Sequence, residues 1–442
     1  MNEFPLGKAA LFMLIMAAAS GVWLGLNPVQ KTDATLVFWT FARNHFDTYK
    51  EAILEFEAAH PGVKIDLQLV HGSAVTSRLQ AAFQSDLPVP DLVETAADIA
   101  GIFFRGPVEH IGFEDLTDRI HKSGLWDSML RARFSAYTHK GRIFGLPHDV
   151  HPIMMAYRRD IFEQEGIDPR EIKTWDDFIR IGRKITIPGK RYMLEAADND
   201  IDALATLLYQ RGGSYFSKDG KCLLDSELSI QNMLFYVPLV AGPNRIGGDL
   251  GKTQILTRAV EDGYVVCLMC PDWRTKIIES DIPRVSGKMA LMPLPAFTPG
   301  GRRTSVWPGT MLAMTKACKN KDLAWEFATF IYTREKGLDR QFSEMNILPA
   351  FKDVWKRPVF RQPRKYWSGQ RIGQLYINLT PQIPKTYSSP YILLARQKYG
   401  EALVACCAYY RKNGEKGFKE FTKTRLKQSA DEVRAMIRRN PY

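Results

Sequence analysis

The sequence predicts an α/β fold built as more than one lobe. Three observations carry this: a length of 442 residues, strand and helix signals that alternate through the first hundred residues, and a more helical pattern after residue 150. The length is about three times a common domain of roughly 150 residues. Hydrophobic residues make up 45% and charged residues 24%, as in ordinary globular proteins. That balance excludes a disordered, collagen-like or polytopic membrane chain.

The elements follow in order. Thr35 to Phe41 is β-branched and aromatic, a strand. Asp47 to His60 carries Ile53, Leu54 and Phe56 and stops at Pro61-Gly62, a helix. Val63 to Val70 alternates apolar and polar, a second strand. Ser77 to Phe83 is helical, and Pro90-Asp91 leads into Leu92-Val93, a third strand. This β-α-β-α-β order predicts a largely parallel sheet. Further helices are predicted over Trp175–Lys184, Asp202–Gln210 and Ser229–Val240, then over 321–332, 391–410 and 417–437. Strands are predicted over 264–269 and 289–294. In the last helix Phe418, Phe421, Val433 and Ile437 share one stripe.

Ala9 to Leu26 contains no charge. As a helix it would rise about 27 Å, against a hydrocarbon core of roughly 30 Å. Two readings stand: residues 1–30 as a cleaved secretory signal, with Ala17 and Ala19 before Ser20, or residues 9–26 as an uncleaved anchor. Either exports the remainder to the periplasm or cell surface, possession of an inner-membrane anchor being the difference. The first cysteine is Cys222, so an N-terminal lipid-modified cysteine is excluded. The net charge of +12 is local: residues 350–379 hold seven basic and one acidic residue, and residues 380–442 hold thirteen and five.

Six cysteines are too sparse for a disulfide scaffold in a chain that can bury its own core. Cys267 and Cys270 match CxxC, but they fall in the apolar run Tyr264 to Met269, where residues three apart point to opposite faces of a strand. Asp198-Asn-Asp200-Ile-Asp202 invites calcium, yet Ala203 and Tyr209 stand where that loop needs Gly and Glu. A helix N-cap is the plainer use, with Asp202 opening an apolar-periodic stretch. No metal and no cofactor are expected.

Six motifs, in order, give the chain a specific resemblance. Trp39 ends a strand, and the next helix closes with Phe56-Glu57-Ala58-Ala59-His60-Pro61-Gly62. Pro90-Asp91-Leu92-Val93 precedes Asp98. Gly141-Arg142-Ile143-Phe144-Gly145-Leu146-Pro147 precedes Tyr157-Arg158-Arg159-Asp160-Ile161-Phe162, and Thr174-Trp175-Asp176-Asp177-Phe178 follows. Asp272-Trp273 precedes Met292-Pro293-Leu294-Pro295. Trp307-Pro308-Gly309 and Leu312 to Lys316 precede Ala324-Trp325-Glu326-Phe327. In this the chain resembles extracellular solute-binding proteins of carbohydrate ABC transporters, family 1, related to maltose-binding protein. The match covers residues 35–350 and is looser beyond; Arg158 stands where the family often has Asn.

The resemblance implies a two-lobed, type II periplasmic-binding-protein-like α/β fold, with the ligand cleft between lobes joined by hinge crossings. The lobes would comprise 32–149 plus 291–333 and 150–290 plus 334–442, with crossings near Pro147–His151, Met289–Pro293 and Phe330–Gly337. The implied function is binding of a sugar or oligosaccharide and its delivery to membrane permease subunits by a monomer that is not an enzyme. Aromatic rings would stack on sugar faces while carboxylates, amides and Arg bond the hydroxyls. On that basis Trp273, Asp98, Arg43, Asn44, Trp307, Tyr387 and Tyr391 are candidate ligand contacts. Asp200 and Asp202 join them, lying before Arg211-Gly212-Gly213, and so does His151, at a position where a well-known relative has a carboxylate.

Rival functions are weaker. A glycoside hydrolase needs two carboxylates about 5–10 Å apart, and no catalytic motif accompanies any pair here. A serine hydrolase lacks its GxSxG. The basic C-terminus suggests nucleic acid, but export and a solvated helix face argue against it. A basic rim at Arg361, Arg364 and Lys365 would favour an acidic saccharide; a solvent-facing surplus is the plainer expectation. A binding subunit that presents sugar to a membrane receptor is the alternative retained.

Overall fold

The computed structural model describes residues 7–26, 34–85, 87–250 and 253–439. Helix α1 (Gly7–Leu26) comes first, with residues 11–20 exposed. Among the described residues, no helix is long and apolar enough to cross a membrane.

Two five-stranded sheets organise the chain. The first uses β1 (Leu36–Thr40), β2 (Ile65–Leu69), β3 (Leu92–Ala96) and β4 (Leu146–Pro147), joined by α2 (Arg43–Ala59) and α3 (Gly72–Ala82). The second uses β5 (Ile153–Arg158), β6 (Tyr192–Glu195), β7 (Gly247–Gly248), β8 (Val265–Pro271) and β9 (Met289–Pro293). Strand β10 (Thr310–Met314) then returns to the first sheet. The strand orders are β2-β1-β3-β10-β4 and β9-β5-β8-β6-β7.

The expected largely parallel sheet is only half right. β1 pairs parallel with β2 (Leu36 opposite Ile65) and with β3 (Phe38 opposite Leu92). β10 runs antiparallel to both β3 and β4. In the second sheet β5 is antiparallel to β8 and β9, while β8 is parallel to β6. The reversed strands enter after the chain has crossed between lobes, so no local β-α-β unit dictates their direction.

The first crossing runs through residues 148–152, between β4 and β5. The second falls at 294–309, later than expected, because Met289–Pro293 is itself an edge strand of the second sheet. Residues 291–293 thus pair in the second sheet, not the first. Helices α8 (Lys321–Thr333) and α9 (Glu335–Met345) meet at Arg334, where the buried cluster containing Tyr332 gives way to the one containing Leu338.

Local chemistry sets the helices between. Thr174 and Asp177 form a capping box at the start of α4 (Trp175–Ile185), satisfying two N-terminal donors reciprocally. α5 (Ile201–Gln210) is capped by Asp200, which accepts from the backbone N–H of Asp202 and Ala203 at 3.1 and 2.9 Å. The cap expected of Asp202 therefore belongs two residues earlier, leaving the Asp202 carboxylate free to turn outward. α6 spans Glu227–Val240 and α7 spans Asp272–Asp281. The chain ends with α10 (Ile392–Asn413) packed along α11 (Phe418–Arg439). Phe418 and Val433 are buried, with Phe421 and Ile437 packed beside them. All six cysteines are buried and free. Cys267 and Cys270 lie in two different apolar clusters, on opposite faces of β8 as the strand period requires.

Candidate functional site

The site grows from the ends of the strands. β3 ends at Ala96, and Ala97-Asp98 follows it. β8 ends at Pro271 and runs directly into α7, which places Trp273 in that helix's first turn. Trp307 and Pro308 lie in the second crossing. A small cavity of about 30 Å³ is lined by Ala97, Asp98, Arg133, Tyr209, Val306, Trp307, Tyr387, Ile392 and Arg396 among others; Trp273 and Asp202 do not line it and reach it through Trp307 and Arg396. That is space for about two waters and too little for a sugar ring.

Trp273 and Trp307 meet edge to face, their ring centroids 5.9 Å apart at 65°. Both are partly buried. Each thus keeps ring surface available beside polar groups, the arrangement a carbohydrate face needs. Arg396, on α10, sits between two carboxylates: Asp98 at 3.3 Å and Asp202 at 2.7 Å. Burial raises the pKa of Asp98, with Arg396 pulling against that rise. Asp200, behind Asp202, is pushed up to about 6 by burial, although its bonds to the α5 amides oppose the shift. Beside Trp273, Arg274 bonds Glu195 at 2.7 Å and the Met269 carbonyl at 2.9 Å.

Of the remaining candidates, Tyr387 alone lines the cavity. His151 is buried; its Nδ1 meets Asp272 Oδ1 at 2.6 Å and its Nε2 meets Asp149 Oδ2 at 3.2 Å. Burial lowers its pKa, but the two carboxylates, Asp149 foremost, outweigh that and hold it at about 9. It is an imidazolium tying the first crossing to the start of α7, with its backbone at φ 52°. Only a surrounding structure that over-determines it keeps a non-glycine residue there. Arg43 and Asn44 form the first turn of α2 and are exposed; Arg43 pairs with Asp47. Tyr387 lines the cavity from the segment before α10. Tyr391 is the N-cap residue of α10 and borders a different hollow, with Ile102, Arg105 and Met436.

Sequence reading missed Arg396, Arg133 and Tyr209. Arg396 carried a faint signal, a single charge in the apolar start of α10 (Ile392-Leu-Leu-Ala-Arg396). Arg133 gave none. It is buried, and bonds the Asp149 carbonyl at 3.0 Å and the Trp307 carbonyl at 3.3 Å. Gly309 completes this corner: a Cβ there would collide with the Asp149 carboxylate and the Arg133 guanidinium.

An arabinooligosaccharide-binding protein of Bacillus subtilis (strain 168) is 27% identical over 396 residues, 88% of this chain and 90% of its own. One of Halalkalibacterium halodurans is 26% identical over 365 residues, 80% of each chain. The crystal structure of an extracellular solute-binding protein of family 1 superposes with a TM-score of 0.76 at 20% identity, covering 90% of this chain and 99% of that one. The fold is thus the two-lobed type II binding-protein fold that the motifs implied. The family model for bacterial extracellular solute-binding proteins matches residues 43–337, and the chain belongs to that family.

Proposed function

We propose that the protein captures a neutral, pentose-containing oligosaccharide outside the cytoplasm and delivers it, as a monomer, to the permease subunits of an ABC transporter. The observation that carries the reading is the cavity lined by Asp98, Trp307 and Arg396, with Trp273 packed on Trp307 and Asp202 paired with Arg396. Stacking surface and in-plane polar groups are what a sugar requires, and the cleft supplies both. The two relatives quoted above, each spanning most of the chain, are arabinooligosaccharide-binding proteins, which supports the pentose. Residues 32–149 with the return through β10 and α8 form one lobe in this reading. Residues 150–293 with 334–442 form the other, and the two close by hinge motion. Trp273, Trp307, Asp98, Asp202 and Tyr387 are the ligand contacts.

A thermal-shift screen tests the ligand class. Arabinooligosaccharides should raise the melting temperature, since a ligand at 100 times its dissociation constant adds about 2.7 kcal/mol. If only hexose oligosaccharides act, the pentose assignment is wrong; if no saccharide acts, the sugar reading is. Stimulated ATP hydrolysis by the reconstituted cognate permease, with ligand and this protein together, tests delivery.

A further inference from the structure

Away from the sugar cleft, three potential metal ligands from three separate elements converge in the interior. His45 comes from the first turn of α2, Glu94 from the middle of β3, and His148 from the start of the first crossing. They are 4%, 0% and 4% exposed. One donor atom from each lies within 4.8 Å of the others. His45 Nδ1 stands 3.0 Å from Glu94 Oε2, and the two imidazole rings lie 4.0 Å apart.

We propose that His45, Glu94 and His148 bind one divalent transition-metal ion, with zinc as the ion of best fit. Two imidazoles and a carboxylate are a donor set zinc takes, with bonds of about 2.0–2.2 Å that hold donors roughly 3.3 Å apart. Side-chain shifts of the order of an ångström bring the three to that spacing. The outer partners are already in place. Asp149 Oδ2 meets His148 Nδ1 at 3.1 Å, which leaves Nε2 as the free ligand nitrogen. The hydroxyls of Tyr49 and Tyr332 donate to Glu94 Oε1 at 2.6 and 2.9 Å, which leaves Oε2, with the Thr40 hydroxyl at 2.5 Å, on the side of His45. Such outer bonds fix the orientation of metal-binding imidazoles and carboxylates.

Charge points the same way. Glu94, Asp149 and Asp272 are three buried carboxylates in one connected network, and Arg133 and the His151 imidazolium are its two fixed cations. A buried carboxylate needs compensation. A metal ion between His45 and His148 supplies it; a single proton shared by the two adjacent imidazoles, tilted at 36°, is the competing solution. The ion would clamp α2 and β3 of the first lobe to the first crossing.

The experiment uses the full-length, untagged chain, stripped with a chelator and then dialysed against zinc or cobalt(II). About one equivalent of zinc should remain, and cobalt(II) should show the visible bands of a four-coordinate site. Tyr49→Phe, which removes one outer bond and no ligand, should weaken zinc binding by about tenfold or more. The pair His45→Asn and His148→Asn, checked for fold by circular dichroism, should each lose the ion. The proposal is overturned if the stripped chain retains no zinc and gives no cobalt bands, because the network then rests on hydrogen bonds and a proton alone. It is equally overturned if zinc uptake is unchanged in Tyr49→Phe and in the folded histidine variants, which would place the ion at surface histidines.

Discussion

Arg396 of α10 meets Asp98, just beyond β3, at 3.3 Å, while its other amino group holds Asp202 in the first turn of α5 at 2.7 Å. One guanidinium thus ties the end of β3 to the start of α5 at the rim of the cavity. Its side chain is 20% exposed and that of Asp98 28%, so water screens the pair incompletely.

Arg396→Ala should loosen closure. The variant leaves Asp98 and Asp202 without their shared cation, and charged hydrogen bonds of this kind are worth about 1.5–3 kcal/mol. Small-angle scattering should give a larger radius of gyration for the variant than for the parent. A confirmed saccharide should compact the parent. If variant and parent scatter alike with and without sugar, Arg396 is not a fastening.

Trp273→Ala should weaken saccharide binding by roughly 1–3 kcal/mol, the scale of a large side chain's buried surface, and leave the fold intact. The indole sits in the first turn of α7 against Trp307, so its removal uncovers no deep core. Isothermal titration decides: equal affinity in the two proteins would make Trp273 a packing residue only.

How much of this was legible beforehand depends on whether the cause was local. Elements set by local periodicity and caps came through within a few residues: the helix predicted over Trp175–Lys184 is α4, and the buried strand around Cys267 is β8. Thr174, Trp175 and Asp177 announce α4 by themselves. What failed was set by distant pairing. No pattern near Met289–Pro293 says that this strand lies antiparallel to β5 rather than crossing to the other sheet. At the site, Trp273, Trp307, Asp98 and Asp202 entered as candidates through the resemblance, and the fold sets Trp273 against Trp307 and both aspartates against Arg396. Arg133 was missed because its partners, Asp149 and Trp307, are brought to it only by the crossings. His151 resembled a ligand contact by position, and only the fold shows both its nitrogens committed to Asp149 and Asp272.

That commitment gives an alkaline limb to stability. The pKa of His151 is about 9 in the folded chain, above the roughly 6.5 of an unfolded histidine. The charged form is therefore favoured by folding. Its contribution is complete below about pH 6.5 and is lost as pH rises through about 9. His151→Gln should lower the melting temperature at pH 6 more than at pH 9.5, so that the two proteins converge at alkaline pH. A constant difference across that range would show that the imidazolium contributes no charge-dependent stability.

Asp200 should give a slope of the same sign at lower pH. Its carboxyl titrates near 6 in the folded chain, above the roughly 3.9 of the unfolded one, so the folded chain holds the proton more tightly. Stability then falls as pH climbs from about 4 to about 6. Asp200→Asn keeps an acceptor for the α5 amides, removes the titration and should flatten that fall. A melting profile as steep as the parent's between pH 4 and 6 would assign the slope to other groups.

The surplus of basic residues after residue 350 makes an acidic ligand worth testing, and the cleft argues for a neutral one. None of the residues of α11 lines the interlobe cavity. Several of its cations are paired on the helix or beside it: Lys423 with Glu420, Lys427 with Asp431, and Arg434 with Asp225 and Asp431. Arg361, Arg364 and Lys365 do not line the cavity either; the Arg364 guanidinium lies 5.8 Å from the centre of the Phe342 ring. Within the cavity Arg396 is balanced by Asp98 and Asp202, and Arg133 by Asp149. A uronate would therefore add a negative charge beside two carboxylates and meet no uncommitted cation among the residues described at the cavity. Binding of neutral oligosaccharides should be nearly flat between low and high salt, since uncharged ligands gain nothing from long-range steering that salt can screen. Competition titrations with matched neutral and uronate oligomers measure this directly. Tighter binding of the uronate, together with a loss of affinity as salt rises, would show that the basic surplus does reach the ligand.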